Sequence, residues 1–270
     1  MFDVAADRWV SQAAPRPVGL SPKLVYSPAA KSVLAVSVTG EVSAYDVAAD
    51  SWTKRSDAAW STRVRPMVGL DEESGDVVAI EPTLPSAWSY DVTAGEWTEI
   101  DQDGAIGPRT AGNGGMLMTY DPGVSGFVVL DYRADLAQPS HDVWRFDPQS
   151  GSWTELAAMP MISFGYFPSG QEATFAASSG RSVFASFGVV AEYDSASNSW
   201  TSYVNGAVGD STSMVGEPKR MGAHLVYDPI NVRVLMYSGA KFDGTDWELV
   251  DEVWAYDAVT HQWSLVLAAT

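Results

Sequence analysis

Cysteine is absent from the 270 residues. Disulfide staples, thiol catalysis and thiolate metal sites are therefore excluded. The absence does not place the compartment, because a core of this size needs no disulfides. Histidine is scarce as well: His141, His224 and His261 sit in different parts of the chain and show no metal-ligand spacing. Basic side chains number 16 against 34 acidic ones, for a formal net charge of −18. That balance argues against a nucleic-acid partner, which needs clustered Lys and Arg. It serves solubility and is compatible with a secreted or surface-exposed microbial protein. No apolar run approaches the length that crosses a bilayer, so direct membrane insertion is not expected. The opening segment MFDVAADRWV has neither the basic nor the apolar stretch of a secretory signal, but it lies inside a repeat and so carries little weight. A 3.6-residue apolar stripe, a nucleophile elbow and a phosphate loop are all missing.

What the chain has instead is one phrase written six times: an aromatic residue, then Asp, then Trp six positions after the Asp. The copies are FDVAADRW (2–9, with Asp3 and Trp9), YDVAADSW (Tyr45, Asp46, Trp52) and YDVTAGEW (Tyr90, Asp91, Trp97). They continue as FDPQSGSW (Phe146, Asp147, Trp153), YDSASNSW (Tyr193, Asp194, Trp200) and YDAVTHQW (Tyr256, Asp257, Trp263). Successive tryptophans are 43, 45, 56, 47 and 63 residues apart, a mean near 51. A period of this size with strand-like content indicates propeller blades of four strands.

Each unit reads alike. An apolar stretch ends in a turn, as in KLVYSPAAKS, MVGLDEESGD and HLVYDPINVR. A β-branched run follows, as in SVLAVSV, DVVAI, GFVVL, SVFASF and RVLMY, and the two form a hairpin. A third strand carries the aromatic; its alternation puts Trp144 and Phe146 on one face, and likewise Trp254 and Tyr256. The Trp of the motif opens the fourth strand. The Asp is expected to accept hydrogen bonds from backbone amides of the turn between third and fourth strands. The aromatic and the Trp then fill the wedge between neighbouring blades.

A Tyr/Phe-Asp phrase with Trp at this spacing and period resembles the kelch repeat, including the kelch-like central domain of galactose oxidase. The resemblance covers nearly the whole chain. The last unit matches best, from KRMGAHLVYDP through RVLMYSG to AYDAVTHQW. The family's double glycine after the second strand is missing from every unit, with YSG at 237–239 nearest, and the unit around MISFGYFPSGQEATF lacks an Arg before its first strand. The resemblance implies a scaffold only. Galactose oxidase uses a Tyr–Cys cross-link beside copper, which a chain without cysteine cannot make, so no cofactor and no metal are expected.

The expectation is an all-β propeller of four-stranded antiparallel blades: five complete units plus a leading half unit, five- or six-bladed. Residues 1–270 are expected to form one domain of a longer, six-bladed or larger protein, and to be monomeric. Strand direction alternates, so inter-unit loops and second-to-third-strand loops share one face. That face is long and irregular, with DYRADLAQPSHD (131–142), GAKFDGTDWELVDE (239–252) and VNGAVGDSTSMVGEPKRM (204–221). Function usually rides on long loops over a rigid scaffold.

Arg16, Arg65, Arg109 and Arg220 precede the innermost strands and should ring the channel mouth; Arg133 lies in one long loop. A Arg ring suits carboxylate, phosphate or sugar groups, but repeated residues more often tie the repeat together, and that reading is favoured. The acidic loops DGTDWELVDE and DEESGD match no EF-hand and read as solvated surface. Trp247 either stacks on a ligand or covers a seam. The sequence thus points to noncovalent recognition of a glycan or a protein through the long-loop face. A sugar-modifying enzyme working in the channel and a structural spacer in a surface protein are the alternatives.

Overall fold

Alternating apolar residues bounded by Gly, Asn, Asp and Ser turns can bury both faces of a strand only if sheets stack against each other. The computed structural model realises that stack. It describes residues 2–3, 5–10, 22–60, 66–81, 86–100, 115–133, 140–159, 173–186, 189–204, 207–208, 220, 222–242 and 246–268. Every regular element among them is a β-strand, and none is a helix long and apolar enough to cross a membrane.

A two-stranded hairpin, β1 (Phe2–Asp3) and β2 (Arg8–Trp9), precedes five antiparallel blades. Blade one is β3 (Lys23–Ser27), β4 (Ser32–Val36), β5 (Val42–Asp46) and β6 (Ser51–Ser56). Blade two is β7 (Met67–Leu70), β8 (Val77–Glu81), β9 (Ser86–Asp91) and β10 (Glu96–Glu99). Blade three is β11 (Gly115–Asp121), β12 (Gly126–Arg133), β13 (Ser140–Asp147) and β14 (Ser152–Glu155). Blade four is β15 (Ala173–Ala176), β16 (Arg181–Ser186), β17 (Val189–Asp194) and β18 (Ser199–Val204), with β19 (Ala207–Val208) added at its outer edge. Blade five is β20 (His224–Asp228), β21 (Arg233–Tyr237), β24 (Val253–Asp257) and β25 (Gln262–Leu267); a separate hairpin, β22 (Ala240–Phe242) and β23 (Trp247–Leu249), sits between its second and third strands. The first strands β3, β7, β11, β15 and β20 neighbour one another in that order, which places them innermost.

The apolar core is divided among the seams between blades. Leu34, Val36 and Ala44 of blade one meet Val77 and Tyr90 of blade two. Met67, Val78 and Ile80 meet Tyr120, Phe127 and Phe146. Leu117, Val128 and Leu130 meet Phe184, Ala191 and Tyr193. Ala176, Val183 and Val190 meet Leu225, Val234 and Tyr256. These four clusters join neighbouring blades, and a further one, Leu235, Val253 and Ala255, lies within blade five. Trp144 packs on the same seam as Phe146, and Trp254 on the same seam as Tyr256, as their alternation requires.

The recurring phrase builds one turn six times. The Asp Oδ1 accepts backbone N–H groups two and three residues on: Ala5 and Ala6 at Asp3, Ala48 and Ala49 at Asp46, Thr93 and Ala94 at Asp91. Asp147, Asp194 and Asp257 do the same. The turn must then pass through a left-handed residue, four positions after the Asp. Asp7, Asp50, Gly95, Gly151, Asn198 and His261 all have φ between 46° and 77°. Five of the six are Gly, Asn or Asp, the types that tolerate this region best. The turn fixes the register: the motif aromatic faces the motif Trp across the hairpin in all five complete blades. The ring pairs are alike, with centroids 4.9 Å apart for Tyr45–Trp52, 4.6 Å for Phe146–Trp153 and 5.0 Å for Tyr256–Trp263.

Candidate functional site

Two faces of the propeller differ in kind. One holds the Asp-bearing turns, which are short and internally bonded. The first-to-second-strand turns repeat the device, with Asp71, Asp121 and Asp228 each accepting a backbone N–H at 2.8 to 3.0 Å. These turns also join blades: Gln149 Nε2 donates to Asp71 Oδ2 at 2.9 Å, and Ser182 Oγ donates to Asp121 Oδ2 at 2.9 Å. Burial pushes the Asp121 carboxyl up, against the pull of its donors. Between blades four and five the fully buried Glu192 accepts Tyr256 Oη at 2.8 Å and pairs with Arg181 at 3.3 Å. Its Oε1 also lies 3.3 Å from His261 Nδ1, and the His261 ring stacks on Tyr203 at 3.6 Å. These groups bond to one another across the seam, which makes this face a structural lock.

The opposite face carries the long connections. There Ser37 just after β4, Glu81 at the end of β8 and Asp131 within β12 each stand four positions beyond the residue that faces the motif aromatic, and all three are buried. Arg220 stands just before β20 with its side chain fully buried. Its Nη2 donates to Glu252 Oε2, at the start of the third strand of the same blade. Trp254 Nε1 donates to the same oxygen at 2.9 Å. Burial raises the Glu252 carboxyl, but the Trp254 bond and the Arg220 charge prevail and hold it below its ordinary value. Among the described residues, Arg220 Nε and Nη1 have no hydrogen-bond partner.

The β22–β23 hairpin rises from this face between β21 and β24, closed at its base by Val250 N–H donating to Gly239 O at 3.1 Å. Lys241 faces Glu248, and Phe242 faces Trp247, across it. Trp247 and Leu249 are two apart on β23 and so share one side. Trp247 is 45% exposed and Leu249 is 85% exposed. Two large apolar groups thus project together from one side of this hairpin, and Leu249 is the most exposed of the large apolar residues described.

Of the residues singled out from sequence, Trp247 and Arg220 lie on this face. Arg220 bonds an acidic neighbour within its own blade, and this bond does not reach the adjacent blade. Arg16, Arg65 and Arg109 lie outside the described residues, and the Arg133 side chain is likewise not described; its backbone pairs with Ser140. Sequence reading missed Glu252, Leu249 and the β22–β23 hairpin. The signal for the hairpin was the apolar alternation Trp247–Leu249, hidden in a loop dominated by Asp and Glu. Among the described residues no group of three or more His, Asp and Glu is placed to hold a metal ion.

Comparison with known proteins agrees with this architecture. A kelch motif matches residues 131–160, the stretch from the end of β12 through β14. A chain in the crystal structure of a nidogen–laminin complex superimposes with a TM-score of 0.53 and 12% identity, over 89% of this chain and 76% of that one. At that identity the likeness concerns the fold alone. A search of curated proteins returns no match. The kelch motif in blade three and the structural likeness agree with a β-propeller that carries a kelch-like unit.

Proposed function

We propose that this protein is a noncovalent recognition module that binds a protein partner through the long-loop face, with Trp247 and Leu249 as its anchors. The observation that carries the reading is the exposed apolar pair on β23. Trp is the residue type most enriched at binding hot spots. Covering Leu249 contributes roughly 2 kcal/mol, the usual value for an aliphatic side chain taken out of water. A sugar would stack on Trp247 but has no use for a bare aliphatic side chain beside it, so the pair favours a protein over a glycan. Lys241 and Glu248 face each other on the other side of the hairpin, which leaves the apolar pair on a side of its own.

The test is a double variant, Trp247→Ala with Leu249→Ser. Both side chains are exposed, so the variant should melt within about 2 °C of the parent. Proteins retained from the native host by the parent and not by the variant identify the partner. With that partner purified, the variant should bind at least 30-fold more weakly, the effect of losing about 2 kcal/mol. Equal retention by both forms, or binding to a glycan array with no protein partner, would reject the reading. No ligand of either class would leave a spacer as the better account.

A further inference from the structure

The β22–β23 hairpin has an inner and an outer strand. Ala240 and Lys241 of β22 are half-buried, whereas Asp246 and all of β23 are exposed. Among the described residues β23 pairs with β22 alone, so its other edge faces outward. The direction of its backbone groups follows from the closure of the hairpin. Val250 N–H donates to Gly239 O, which makes 239 and 250 a hydrogen-bonded pair. Bonded and non-bonded pairs alternate along an antiparallel ladder. Lys241 and Glu248 are therefore a bonded pair, and Ala240 with Leu249 is a non-bonded one. The N–H and C=O of Leu249 thus point away from β22, into the outer edge. The Trp247 amide, on the same edge, is already held by Asp246 Oδ1 at 2.8 Å. Leu249 therefore joins an 85% exposed apolar side chain to an outward backbone donor and acceptor.

Charge decides what this edge accepts. The segment GAKFDGTDWELVDE (239–252) carries five acidic side chains and one basic one, in a chain of net charge −18. A second copy of β23 fits badly. Two-fold pairing would set Leu249 opposite Trp247 and Glu248 opposite Glu248, the latter in a non-bonded pair with Cα atoms only about 4.5 Å apart. Like charges placed so are destabilising. A cation at that position instead meets Glu248 on the side away from Lys241, and the carboxylate then lies between two cations.

Resting on Trp247 and Leu249 as anchors, we infer that the outer edge of β23 receives an extended basic segment of the partner protein as a third, antiparallel strand. Its residues opposite Trp247 and Leu249 are apolar and lie on their side of the sheet. The residue between them is Lys or Arg and lies beside Glu248. Backbone bonds to Leu249 give affinity, and the alternation of apolar with basic residues gives specificity. The edge is short and its charge is of one sign, which turns away copies of itself and admits a segment of opposite charge.

The probe is a fluorescein-labelled synthetic peptide alternating Lys with Val, followed by anisotropy at about 0.15 M salt, where distant charges are screened. The parent should bind it, and Trp247→Ala with Leu249→Ser should weaken binding at least about 30-fold. N-methylation of the Val residues blocks the backbone edge that faces β23 and should weaken binding at least about tenfold. N-methylation of the Lys residues, on the far edge, should not. The swap Lys241→Glu with Glu248→Lys keeps both the cross-strand pair and the net charge. It should still weaken the Lys peptide at least about tenfold and favour a peptide alternating Glu with Val. Nonspecific attraction to an acidic chain predicts no effect of the swap. No binding by the parent, unchanged affinity in the swap, or equal effects of the two N-methyl patterns would overturn the inference. Where any of these occurs while the double variant still loses the purified partner, the anchors stand and strand addition alone fails.

Discussion

Trp97 shows how much of the fold rests on the motif tryptophans. Its ring lies 5.1 Å from Tyr90 across its own hairpin and 5.2 Å from Trp60 at the first-blade end of the seam. Its Nε1 donates at 2.8 Å to the carbonyl of Gly40, 57 residues earlier. Trp97→Phe keeps a ring but removes the donor, leaving the carbonyl without that bond, at a cost of about 1–2 kcal/mol. Trp97→Ala also removes two aromatic contacts and most of the buried area. For a half-buried ring the total should be about 3–4 kcal/mol, the lower part of the range for Trp truncation. At roughly 2–4 °C per kcal/mol for a chain of this size, the melting temperature should fall by about 6–16 °C. Urea denaturation followed by far-ultraviolet circular dichroism reads the free energy, with Trp247→Ala as the exposed control at no more than about 0.5 kcal/mol. If Trp97→Ala costs no more than Trp247→Ala, the motif tryptophans do not seal the blades and the reasoning fails.

Three further outcomes follow from the turns. Asp147→Ala removes the acceptor for the Gln149 and Ser150 amides, bonded at 3.0 and 3.3 Å, and should cost about 1–2 kcal/mol by denaturant titration, most of it restored in Asp147→Asn. Gly95→Ala should cost about 1 kcal/mol through backbone strain alone, because φ is +77° while the added Cβ would meet nothing nearer than 3.6 Å. The Asp257 carboxyl is held below its ordinary value by the amides of Thr260 and Val259. A depressed carboxyl contributes stability above the unfolded value near pH 4, and that contribution is lost as the pH falls through the folded value. Asp257→Asn should therefore be less stable than the parent at pH 7, with the gap closing below about pH 4 in thermal melts; a gap independent of pH would refute the assignment.

The fold was legible because its signal is local and repeated. A turn that must satisfy two amides with one carboxylate fixes Asp, and a hairpin register fixes the distance from Asp to Trp, so six copies survive even where the loops between them vary. The left-handed residue was equally visible, as Asp7, Asp50, Gly95, Gly151 and Asn198, but His261 breaks the pattern and conceals it. Glu192 could not be read. It takes a position filled by Ala44, Ser89, Arg145 and Ala255 in the other blades, and only the packing of blade five brings Tyr256 and His261 to it. The long-loop face was legible as a location and not as chemistry. Which loops share a face follows from strand alternation; which side chains project from them depends on local pairing such as β22 with β23, where propensity is weak and acidic residues mask the apolar alternation.

The measurement that bears most directly on the recognition claim is site-specific photo-crosslinking in the native host. A photoreactive phenylalanine is placed at Leu249 in one variant and at Val259 in another. Both positions are well exposed, but Val259 lies in an Asp-bearing turn on the opposite face. The account predicts a discrete protein adduct from Leu249 and none from Val259. An adduct from Val259 alone, equal adducts from both, or none from Leu249 would contradict it.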